Sequence, residues 1–121
     1  MAIGKKVLIV EDEILIALSL GELLEYWSYE LCEPAASGED AVRRAESEQP
    51  DIILMDVNIR GRIDGIQAAR EITSRFNIPI IFMSGYSQDE IRKKAGLDGV
   101  VEFMSKPMDH DKLRKTLESM T

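Results

Sequence analysis

Three stretches of the chain are apolar at every position: Val7-Leu8-Ile9-Val10, Ile52-Ile53-Leu54-Met55 and Ile80-Ile81-Phe82-Met83. Continuous runs of this length, rich in β-branched residues, suit strands of a parallel sheet covered on both faces, because neither face then meets water. Other segments repeat their apolar positions at helical spacing. Ile16, Leu20, Leu23, Leu24 and Trp27 form one stripe, with Glu22, Glu25 and Ser28 between them, which predicts a helix with one buried and one wet face. Ser37 and Asp40 resemble a capping box opening a helix with Ala41, Val42 and Ala45 inward, and Pro50 stops it. Asp64-Gly65 starts a helix with Ile66, Ala69, Ile72 and Phe76 on one side, after a loop turned by Gly61. Ser87 and Glu90 cap a short helix carrying Ile91 and Ala95, closed by Gly96 and Gly99. Asp109 caps a last helix in which Leu113, Leu117 and Met120 face inward. Two further strands are expected over residues 31–36 and 100–105. The first contains Pro34, which cannot donate to a ladder and so belongs at the margin of the sheet.

Five strands, each followed by a helix, predict an α/β fold: a (βα)5 doubly wound parallel sheet with right-handed crossovers. Ligands in such sheets bind beyond the carboxyl ends of the strands. Four of the five ends carry polar groups, namely Glu11 with Asp12, then Asp56, Ser84 and Lys106. Converging acids with one hydroxyl and one ammonium argue for a hard divalent cation and a phosphoryl group. Magnesium takes one or two carboxylates and completes its octahedron with phosphate oxygens and water, which suits Asp12 and Asp56 with Glu11 close by. Lys106 can hold a phosphoryl oxygen, Ser84 can donate to another, and Asp56 can attack phosphorus to form an acyl phosphate. A buried salt-bridge network is the blander reading, but three acids against one base leave charge uncompensated, which favours a metal.

Composition narrows the classes. The 121 residues fit a single domain, 1–121, that should bury roughly two-thirds of its unfolded surface. Fifteen Lys and Arg against 22 Asp and Glu give a net charge of -7, which repels nucleic acid phosphate and argues against direct DNA binding. No apolar run reaches the ~18 residues of a membrane span and no secretory leader is evident, so the reading is cytoplasmic with no membrane partner. The single cysteine, Cys32, reads as a small buried hydrophobe. His110, far in sequence from any other ligand type, reads as a surface residue, and Trp27 as core or a helix-end contact.

The segments LIVEDE, PDIILMD, Asp64-Gly65, IPIIFMSGYS and EFMSKP, in this order and at these strand ends, resemble the receiver domains of two-component response regulators over about residues 6–117. The resemblance implies the flavodoxin-like strand order 2-1-3-4-5. It makes Asp56 the phosphoacceptor for a histidine kinase or histidine phosphotransfer protein and Glu11 and Asp12 the acidic pair holding Mg2+. The main-chain carbonyl of Asn58 becomes a further metal ligand, and Lys106 the phosphoryl-binding lysine. Ser84 stands at the switch hydroxyl position and Phe103 at the switch aromatic. On phosphorylation Ser84 should move toward the phosphoryl oxygen and Phe103 turn inward, remodelling a surface for a downstream protein partner; a phosphorylation-dependent homodimer is also admitted. Such a domain is a self-phosphorylating phosphoacceptor with slow autodephosphorylation and not an enzyme of turnover.

The pattern departs from the family in places. Arg60 occupies a position where the family usually has proline, and NIRGRIDG is one residue longer than the common form. Arg60 and Arg62 read as solvated loop charges, with contact to a partner or phosphoryl group as the sharper alternative. Phe82-Met-Ser-Gly-Tyr86 resembles the Phe-Ala-Thr-Gly-hydrophobic pattern of a subgroup known mainly from alphaproteobacteria and often single-domain, with Met83 and Ser84 departing from it. Tyr86 could shield an acyl phosphate or be an ordinary half-buried aromatic. No room for an effector domain follows Met120, so output is expected through protein contacts unless the chain is the receiver part of a larger regulator or hybrid histidine kinase. An aspartyl-phosphate phosphohydrolase is the enzymatic alternative, disfavoured because Glu11-Asp12-Glu13 lacks the Asp-x-Asp pair of those enzymes. A pseudo-receiver scaffold is the third.

Overall fold

The computed structural model describes residues 4–84, 101–105 and 109–120. Its elements are β1 (Lys6–Val10), α1 (Ile14–Tyr26), β2 (Glu30–Leu31), α2 (Gly38–Glu48), β3 (Ile52–Asp56), α3 (Gly65–Arg75), β4 (Ile80–Ser84), β5 (Val101–Ser105) and α4 (His110–Met120). The strands form one parallel sheet in the order β2-β1-β3-β4-β5. The expected helix after β4, with Ser87, Glu90, Ile91 and Ala95, lies outside the described residues.

The continuous apolar strands bury both faces because alternate side chains enter two separate cores. Leu8, Val10, Ile53, Met55, Ile80 and Phe82 pack with Ala41, Val42, Ala45, Ala69 and Ile72 of α2 and α3. Val7, Ile9, Ile52, Leu54, Ile81 and Met83 pack with Leu20 and Leu24 of α1 and Leu113 and Leu117 of α4. Trp27 closes α1 from within this second core, with the Arg114 guanidinium 5.5 Å above its ring, so it is both core and helix-end contact.

The caps among the described residues follow the sequence with one refinement. Ser37 Oγ accepts the Asp40 N–H at 3.1 Å, while the Asp40 carboxylate pairs with Arg43. The full reciprocal box is instead at α3: Asp64 Oδ1 accepts the Gln67 N–H at 2.8 Å and Gln67 Oε1 accepts the Asp64 N–H at 2.9 Å. Asp109 Oδ1 accepts the N–H groups of Asp111 and Lys112 at 3.0 and 3.2 Å and opens α4. His110 follows it, exposed to solvent.

The edge strand corrects the expectation of residues 31–36. β2 is only Glu30–Leu31, with a separate bridge from Val10 to Ala35. Pro34 has no N–H to give, and the Glu33 N–H turns away to Glu48 Oε1 at 3.4 Å. The placement at the margin holds, since β2 pairs with β1 alone. No helix among the described residues is long and apolar enough to cross a membrane.

Candidate functional site

The carboxyl ends of β1 and β3 lie side by side, paired in register from Val7 with Ile52 to Val10 with Met55. Glu11 follows β1 directly and is 3% exposed; its N–H donates to the Ala35 carbonyl at 3.0 Å and its Oε1 accepts the Glu13 N–H at 3.2 Å. Asp12 comes next and is partly exposed. Asp56 is the last residue of β3 and 6% exposed, and its Oδ1 accepts the Asn58 N–H at 2.9 Å, which fixes the carboxylate's orientation. One oxygen from each of Glu11, Asp12 and Asp56 lies within 4.8 Å of the other two. Three hard oxygen donors this close fit a divalent cation such as Mg2+, which would also relieve their mutual repulsion.

The loop from Asn58 to Asp64 connects the end of β3, beside Asp56, to α3. Ile59 plugs into the core at 6% exposure, and Arg60 bridges in parallel to Ser37, the N-cap of α2. Gly61 follows with φ +126°, a conformation side chains rarely adopt. The Arg62 N–H then donates to Glu39 Oε2 at 2.8 Å. This hydrogen bond from the Arg62 backbone, first among several, holds the Glu39 carboxyl below its ordinary pKa. At the far end of the loop, a Cβ on Gly65 would strike the Asp56 carbonyl oxygen and crowd Val57. Only a residue without a side chain lets α3 start this close to the phosphoacceptor candidate.

Arg60 does not simply extend into solvent. Its Nε lies 3.3 Å from Asp12 Oδ2, although the arginine side chain itself is 90% exposed. This pair and the Glu39 clamp are the two features of the site that residue patterns missed. Glu39 sits in an acid-rich first turn of α2 and looks like any solvated helix acid, and its partner is 23 residues away.

The remaining expected residues divide. Ser84 closes β4 and is paired in register with Ser105; its side chain, and Tyr86, Lys106 and Pro107 entirely, lie outside the described residues. Phe103 is 5% exposed and stacks on Phe82, ring centroids 5.6 Å apart, so it already points inward. Asn58 is exposed beside Asp56. Cys32 is buried, and desolvation pushes its thiol up to about 11, which leaves it unreactive at neutral pH.

A family model described as the response regulator receiver domain matches residues 7–118. The transcriptional regulatory protein PdtaR of Mycobacterium tuberculosis is 38% identical over 117 residues, covering 97% of this chain and 57% of that protein. The chain therefore spans little more than half the length of this relative. Among solved structures, the signal receiver domain of a modulated diguanylate cyclase from Desulfovibrio desulfuricans superposes with a TM-score of 0.84 at 34% identity, covering 95% of this chain and 91% of that one. The receiver domain of the sensor histidine kinase PA1611 from Pseudomonas aeruginosa, solved with a magnesium ion coordinated in its active-site cleft, gives a TM-score of 0.84 at 29% identity and covers 97% of each chain.

Proposed function

Because the chain belongs to the response regulator receiver domain family, we propose that it is a cytoplasmic phosphoacceptor that takes a phosphoryl group onto Asp56 from a histidine kinase or histidine phosphotransfer protein. The observation that carries this reading is the convergence of Glu11, Asp12 and Asp56 at the adjacent ends of β1 and β3. The Asp56 carboxylate, oriented by the Asn58 N–H, attacks phosphorus; the bond from phosphorus to the donor imidazole breaks, and the imidazole leaves with its electron pair. Glu11, Asp12, Asp56 and the Asn58 carbonyl would hold Mg2+. Bound there, it would supply charge neutralisation of the phosphoryl oxygens. Lys106 would hold one of those oxygens and the Ser84 hydroxyl another.

A protein donor also needs a surface to dock on. Immediately after the acids, α1 exposes Ile14 at 74%, Leu15 at 81% and Leu18 at 60%. Apolar side chains grouped on a helix beside a reactive carboxylate favour a protein partner. Output would run through Ser84 and Phe103 to a downstream protein. Adding Mg2+ and beryllofluoride, which imitates the phosphoryl group, should shift amide resonances around Ser84 and Phe103. An unchanged spectrum would overturn the switch assignment.

A further inference from the structure

We infer that Arg60 is an internal counter-cation of the acid cluster and competes with the divalent cation for Asp12. The inference rests on reading the cluster as a cation site. Its basis is the 3.3 Å approach of Arg60 Nε to Asp12 Oδ2, the same carboxylate that lies within reach of Glu11 and Asp56. A guanidinium stays charged at any pH the fold survives, so the competition persists across the physiological range.

The tether makes the position of Arg60 a property of the loop. On one side Ile59 is buried; at Arg60 itself the backbone bridges to Ser37; on the other side Gly61 turns and the Arg62 N–H is held by Glu39. The backbone of Arg60 is thus held at both flanks beside the N-terminus of α2, within one side-chain length of Asp12. A cation that takes an oxygen of Asp12 must push the guanidinium aside or bear its repulsion. Because the arginine is 90% exposed, solvent screens that repulsion, and the effect tunes affinity without blocking the site.

Isothermal titration of the full chain with Mg2+ alone tests this without any phosphodonor. Arg60→Gln should bind Mg2+ about threefold to tenfold more tightly than the wild type at low salt, as expected for removing one screened unit charge. The ratio should shrink toward one as ionic strength rises, and Arg60→Lys, which keeps the charge, should restore affinity toward that of the wild type. A merely structural role for Arg60 would not produce that charge and salt dependence. Equal or weaker binding by Arg60→Gln overturns the inference and leaves the cation site standing. Failure of both wild type and variant to bind Mg2+ overturns the cation site, and the inference falls with it.

Discussion

At Gly65 the missing side chain lets α3 begin against the end of β3. Its substitution by alanine would press a methyl group into the Asp56 carbonyl and Val57. Gly65→Ala should therefore lower stability by about 1–3 kcal/mol, the usual cost of overpacking, measurable as a lower urea midpoint. Glu39 makes a prediction in pH. Its folded pKa is depressed by the Arg62 N–H and further hydrogen bonds, so its contribution is present above the unfolded carboxylate pKa and lost as pH falls through the folded one. The urea midpoint of wild type should exceed that of Glu39→Gln at neutral pH, and the gap should close on acidification below about pH 4.3. A pH-independent gap would contradict the sign. Glu11, Asp12 and Asp56 were legible in the sequence because Glu11 and Asp56 directly follow apolar runs and Asp12 comes next after Glu11. Glu39 and the Arg60–Asp12 pair were not, since both contacts join residues distant along the chain through a loop that no spacing rule describes.

Among the elements, helices with one polar face were the easiest to read: α2 buries Ala41, Val42 and Ala45, α3 buries Ile66, Ala69 and Ile72, and α4 buries Leu113 and Leu117, whereas Phe76, the extended C-cap of α3, and Met120 are only partly buried. β2 was misjudged in extent because an isolated proline both disqualifies a donor and lets its neighbour's N–H find another acceptor; the ladder breaks and resumes at Ala35. For α1 the inward stripe was read correctly, whereas the outer face was taken as polar. Ile14, Leu15 and Leu18 are exposed on it, and burial within this chain gives no reason for them. Leu15→Ala, at a site 81% exposed, should change stability by no more than about 0.5 kcal/mol. If α1 docks the phosphodonor, the same variant should lose about tenfold in phosphotransfer from a kinase, a typical cost for a central apolar contact, while reacting normally with acetyl phosphate. Equal losses with both donors would place Leu15 in the chemistry and contradict a docking role.

For the whole molecule, the doubly wound sheet follows from the continuous apolar strands, because each needs cover on both faces and the chain supplies helices between them. The order β2-β1-β3-β4-β5 was not deducible from periodicity and came with the family resemblance. That order places β1 beside β3, which is why Glu11, Asp12 and Asp56 meet although they lie in separate parts of the sequence. Three of the chain's 22 acids gather at this point, and under the proposed function a bound cation there would offset their charge and let a phosphoryl group approach an anionic nucleophile. The most direct measurement is peptide mass spectrometry after incubation with acetyl phosphate and Mg2+. The proposed function predicts one hydroxylamine-labile phosphoryl adduct on Asp56, absent in Asp56→Asn. No adduct on the wild type, or the same adduct retained in Asp56→Asn, would contradict it.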